Sequence, residues 1–183
     1  MNGKHIHEIK PIKFGGSPTD PANKIVLTPA QHAQFSRFWQ NVLRTVSELL
    51  RQVCMERLSA LDCNPPASET NIKAAETAFE RRFPAEYVEF LRHADGAAGP
   101  IGDLRYIDLW RVEELRERND AYGVPEFAPT LIVFGSDGGD TAYAFDVAQN
   151  FSIVETPFIG MGVEQTHVLG ESWPEFIHTL TRR

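Results

Sequence analysis

The chain has 183 residues and a net charge of −7, with 42% hydrophobic and 23% charged residues, an ordinary balance for a globular protein. That length holds one good core, or one core plus a small appendage. No apolar run approaches the roughly 18 residues that span a bilayer, no charged-then-apolar leader opens the chain, and its two cysteines, Cys54 and Cys63, lack the spacing of a disulfide scaffold or a four-cysteine zinc site, so a cytoplasmic protein without a membrane partner is expected.

The charge is unevenly divided. Through Cys54 there are seven Lys/Arg against three Asp/Glu, a balance of +4; from Met55 onward there are eleven against twenty-two, a balance of −11. The reading is of two pieces, residues 1–54 and 55–183. An acidic domain repels nucleic acid and suits a basic protein partner, although solubility alone also accounts for such a balance.

The first piece opens with His5, His7 and Glu8, followed by Lys10-Pro11 and by Gly15-Gly16, where a turn between two short strands is expected. Thr28, Pro29 and Gln31 form a helix start: Thr28 caps, Pro29 suits the first helical position and Gln31 reaches back. Phe35, Phe38, Trp39, Val42, Val46, Leu49, Leu50 and Val53 then recur at helical spacing, predicting a long amphipathic helix. Strand, strand and helix make a ββα unit.

That unit resembles the HNH nuclease motif of colicin-type DNases and polymorphic toxins over about residues 5–50. The step from Glu8 to Asn23 is 15 residues and from Asn23 to His32 is 9, matching the pattern of that motif. The resemblance implies His7 and His32 as metal ligands and Asn23 as the loop anchor, with Glu8 standing at the general-base position. Two positions depart from it: Glu8 replaces a histidine, and Ser36 occupies the third-ligand position. A metal nuclease needs a base to activate water and enough fixed ligands to hold its cation, so a degenerate fragment is expected, requiring a divalent metal only if it is active.

The second piece begins at Met55, which reads like a natural protein start. Pro65, Pro66 and Ser68 follow, with Ser68 or Thr70 capping a helix that carries Ile72, Ala75, Phe79 and Phe83. Pro84 restarts the chain as a second helix with Tyr87, Phe90, Leu91 and Ala94 inside, stopped by Asp95-Gly96. Strands are expected from Leu104 to Trp110, Leu131 to Phe134, Thr141 to Asp146 and Ser152 to Phe158. A charged helix from Val112 to Arg118 interrupts them, and the loop Gly135 to Asp140 reads as a hairpin turn. A last helix, Ser172 to Leu180, bears the stripe Trp173, Phe176, Ile177 and Leu180. Helices around an antiparallel sheet make this an α+β domain.

These blocks, in this order, resemble the SUKH superfamily (Smi/Knr-like) over about residues 55–183. The carriers are the helix pair with its Phe83-Pro84-Ala85-Glu86-Tyr87 core, the Gly135-Ser136-Asp137-Gly138-Gly139 turn, Ala144-Phe145-Asp146, Val154 to Phe158 and the final helix. Asp95-Gly96 stands where that family often has Asn-Gly. The resemblance implies a toxin-immunity protein that binds and neutralises a cognate toxin, a basic nuclease, without enzymatic activity or cofactor. The alternatives are an HNH endonuclease fused to its own immunity domain, and a non-catalytic regulatory scaffold. An acidic face can imitate phosphate toward a nuclease, which makes Asp103, Asp108, Glu113, Glu114, Asp137 and Asp140 the candidate toxin contacts; each is equally readable as a solvated charge.

Overall fold

The computed structural model describes residues 5–9, 17, 19–58, 60–103 and 105–182; the side chains of His5, Leu43, Val46, Ser47, Leu49, Leu50, Arg51, Val53, Cys54 and Met55 are outside that description. Lys10-Pro11, the Gly15-Gly16 turn and Leu104 therefore lie outside the described residues. Two compact units divide the chain, Met1–Leu49 and Leu50–Arg183.

In the first unit, β1 (His5–Glu8) pairs antiparallel with β2 (Lys24–Leu27), with His7 opposite Ile25 and Glu8 opposite Lys24. Between them, Asp20 caps a single 3-10 turn, Pro21–Asn23, by accepting the Ala22 backbone N–H at 2.8 Å. Helix α1 (Pro29–Leu58) starts as its sequence predicts. The Gln31 side-chain oxygen accepts the Thr28 backbone N–H at 3.0 Å while the Thr28 hydroxyl accepts the Gln31 N–H at 3.3 Å. These reciprocal bonds occupy donors that a helix start otherwise leaves to water. The helix continues through Met55 to Leu58.

The second unit is an α+β domain built on a seven-stranded antiparallel sheet whose spatial order follows chain order, β3 to β9. Its strands are β3 (Asp62–Cys63), β4 (Ala97–Ile101), β5 (Arg105–Leu109), β6 (Leu131–Ser136), β7 (Thr141–Asp146), β8 (Ser152–Pro157) and β9 (His167–Gly170). All of β6 and nearly all of β7 are buried, as expected of central strands covered on both faces. Along β7 the bulky Tyr143 and Phe145 alternate with Ala142 and Ala144, so one face carries rings and the other is flat.

The rings meet helices. Helix α2 (Glu69–Ala78) is capped by the Ser68 hydroxyl, which accepts the Asn71 N–H at 3.0 Å. Helix α3 (Ala85–Leu91) buries Tyr87, Phe90 and Leu91, and α6 (Trp173–Arg182) buries Trp173, Phe176, Ile177 and Leu180. Tyr87, Phe134, Phe145, Trp173 and Phe176 interlock with ring centroids 4.5 to 6.5 Å apart. Such offset and edge-on contacts add to the area each ring removes from water.

Three strands were not expected from the sequence: β3, β4 and β9. β4 reads as a loop because it holds Gly99 and Pro100. It tolerates them because β3 covers only Ala97 and Ala98, so β4 beyond that point is an edge, where proline is accommodated. The expected helix from Val112 to Arg118 is instead a 3-10 turn, Val112–Glu114, followed by α4 (Leu115–Ala121) and the short α5 (Val124–Phe127). Gly135 to Asp140 forms the β6–β7 hairpin connection, with β6 extending to Ser136.

Candidate functional sites

The first unit brings His7 and His32 together. Their ring centroids are 4.8 Å apart and perpendicular, and His7 also meets Phe35 edge-on at 5.0 Å. Asn23 holds the preceding loop: its side-chain amide donates to the Ser17 carbonyl at 2.9 Å and its backbone carbonyl accepts the Ile9 N–H at 2.8 Å. Glu8, next to His7 on β1, is held by Lys24 at 2.9 Å. A cavity of about 450 Å³ is lined by His7, Glu8, Lys24, Ser36 and Trp39, among others. Ser36 brings no imidazole, and among the described residues no group of three or more His, Cys, Asp or Glu side chains could hold an ion.

The six candidate carboxylates of the second unit fall into different settings. Asp103 is exposed in the β4–β5 turn. Asp108 lies within β5, half-buried and opposite Ser136. Glu113 accepts the Asn71 side-chain amide at 2.6 Å and pairs with Arg111 at 3.2 Å. Glu114 pairs with Arg118 one turn later at 2.9 Å. Asp137 is turned inward on its own hairpin, accepting the Gly139 and Thr141 N–H groups at 2.8 and 3.1 Å. Asp140 is exposed, and its backbone carbonyl accepts the Phe158 N–H at 2.9 Å. Asp137 and Asp140 thus share one hairpin tip, and Glu113 and Glu114 share one 3-10 turn.

That 3-10 turn is fixed from beneath by Asp95. Its buried carboxylate accepts the Val112 N–H at 2.7 Å and faces the Arg111 guanidinium at 3.7 Å. Burial raises its pKa above the ordinary value of 3.8, and the Val112 hydrogen bond and Arg111 only partly offset this.

Sequence reasoning missed a second surface feature. Trp110, Tyr122 and Phe158 form a near-parallel stack. Tyr122 and Phe158 are 4.4 Å apart, and Trp110 lies 6.0 Å from Tyr122 and 6.3 Å from Phe158. Trp110 is buried, whereas Tyr122 is 47% exposed and the neighbouring Ile159 is 87% exposed. Arg118 places its guanidinium carbon 4.8 Å from the Trp110 ring centre. Tyr106, also exposed, lies against the hairpin tip, where Gly138 leaves room for it; a Cβ there would sit 2.9 Å from Tyr106 Cδ1. The period-2 run Tyr106, Asp108, Trp110 was the available signal, since alternate strand residues share a face. Tyr122 and Phe158 come from distant segments, and no local pattern joins them.

Among the described residues no helix is long and apolar enough to cross a membrane. No curated protein matches the chain. The model of the SMI1 / KNR4 family (SUKH-1) matches residues 66–179, which spans α2 through most of α6.

Proposed function

Because the chain belongs to the SMI1 / KNR4 family (SUKH-1), a family known for immunity proteins that are generally non-enzymatic and bind a toxin partner, we propose that it neutralises a basic nuclease toxin of a polymorphic or contact-dependent system by covering the toxin's phosphate-binding surface. The observation that carries this reading is the balance of −11 from Met55 onward. Carboxylates that stand where phosphates would stand attract the same cationic side chains, speed encounter and exclude nucleic acid. No cofactor is required, and the action belongs in the cytoplasm, where a nuclease toxin meets its substrate. Calorimetric titration of the full chain into the nuclease domains of polymorphic toxins from its native host tests the reading. A one-to-one complex that stops DNA or RNA cleavage supports it; no complex refutes it.

A second reading concerns residues 5–50 and is favoured by His7 meeting His32 while Asn23 holds the loop. We propose that this ββα unit is an inactive relative of the HNH nuclease fold. Glu8, at the position of the general base, is neutralised by Lys24. The expected result is no nicking of plasmid DNA with magnesium, nickel or zinc. Metal-dependent nicking that disappears in His32→Ala would establish the rival, a nuclease joined to its own inhibitor.

A further inference from the structure

We propose that the Trp110–Tyr122–Phe158 stack, with Ile159 beside it, is the docking face for the basic partner, and that it receives arginine side chains rather than positive charge in general. This rests on the immunity reading and specifies where the partner sits. Tyr122 stacks on Phe158 and lies parallel to Trp110, yet 47% of it stays exposed, so its side chain remains open to an incoming group. The chain already holds one arginine there: Arg118 lies over Trp110 while Glu114 pairs with its guanidinium. An incoming arginine would meet the same pairing of ring and carboxylate at Tyr122 and Asp140, because the hairpin tip bearing Asp140 is tied to Phe158 by a backbone hydrogen bond. Guanidinium groups stack on aromatic faces better than ammonium groups do, and their methylene stems lie along apolar side chains such as Ile159. Aromatic anchors at the centre with charges around them is the arrangement that concentrates binding energy in protein interfaces.

The test uses deca-arginine, deca-lysine and deca-glutamate titrated into the full chain. The expected result is binding of both cationic peptides, with deca-arginine preferred about fivefold. Tyr122→Ala abolishes the preference and Tyr122→Phe, which keeps the ring, retains it. Asp140→Asn weakens both cationic peptides alike. Ile159→Ser, at a position too exposed to disturb folding, weakens deca-arginine about twofold. Equal binding of the two cationic peptides, or a preference that survives Tyr122→Ala, overturns the proposal. So does self-association of the chain through this face, seen as a dimer that Ile159→Ser dissolves. A toxin nuclease domain that binds the wild-type, Tyr122→Ala and Ile159→Ser chains equally overturns the docking face and leaves the immunity reading standing. A chain that binds no such domain removes both.

Discussion

The side chain of Asn119 hydrogen-bonds the backbone of Val133 on both sides, its amide donating to the Val133 carbonyl at 2.7 Å and its oxygen accepting the Val133 N–H at 2.9 Å. Among the described residues β5 pairs with β6 at Asp108–Ser136 and Leu109–Gly135, and Trp110 adds one bond to Phe134. Beyond that point no described strand pairs with β6 on this side, and a helix side chain supplies what a strand would. Asn119→Ala leaves a buried donor and acceptor unpaired and should cost about 2–4 kcal/mol. Asn119→Asp should be comparably damaging because it loses the amide donor. Urea unfolding measures both, and near-wild-type midpoints would show that the contact is dispensable.

Helix α3 stops at Leu91, short of the expected Asp95-Gly96 stop; Gly96 instead takes φ +82 just before β4, where a Cβ would meet the Leu109 carbonyl oxygen. The left-handed conformation and the backbone clash act together. Gly96→Ala is expected to destabilise the second unit by about 3 kcal/mol. A thermal melt within a degree or two of wild type would contradict this.

Asp95 makes stability depend on pH. Its folded-state pKa is raised, so the folded form holds the proton more tightly than the unfolded form does. Its contribution is therefore fully present below the unfolded value of 3.8 and is lost as pH rises through the folded value. Asp95→Asn, which still accepts the Val112 N–H through its amide oxygen, removes this dependence. The variant should gain relative to wild type as pH rises out of the acidic range, and denaturant midpoints across pH 4–7 check the sign. A relative loss over the same interval would reverse it.

Phe134 sits where β6 shifts register between Val133 and Gly135, in contact with Tyr87, Phe145, Trp173 and Phe176. Phe134→Ala opens a cavity among rings that cannot collapse onto it, and a loss of about 3–5 kcal/mol is expected. A loss under 1 kcal/mol by chemical denaturation would mean the aromatic cluster repacks freely.

Helices α1, α2, α3 and α6 and the central strands were legible because each carries a strong local period. The stripe of Trp173, Phe176, Ile177 and Leu180, the Ser68 cap and the Thr28–Gln31 capping pair all act within a few residues of themselves. β4 and β9 were not legible. β4 is defined by its neighbours rather than its own composition, and β9 is a four-residue strand with only Leu169 buried. At the candidate sites the residue types could be read but not their surroundings. Asp137 spends its carboxylate on its own turn and Glu8 is held by Lys24, which no spacing rule reveals. The ring stack depends on Tyr122 and Phe158 meeting across 36 residues, a tertiary fact.

The most direct test of the central claim is the association rate of the full chain with the toxin's nuclease domain as salt is raised from low to well above physiological strength. Docking of an acidic face onto a cationic one predicts a steep fall in association rate with a nearly constant dissociation rate, and reversal of charge at Asp140→Lys should flatten that dependence. A rate indifferent to salt and to Asp140→Lys would contradict the account.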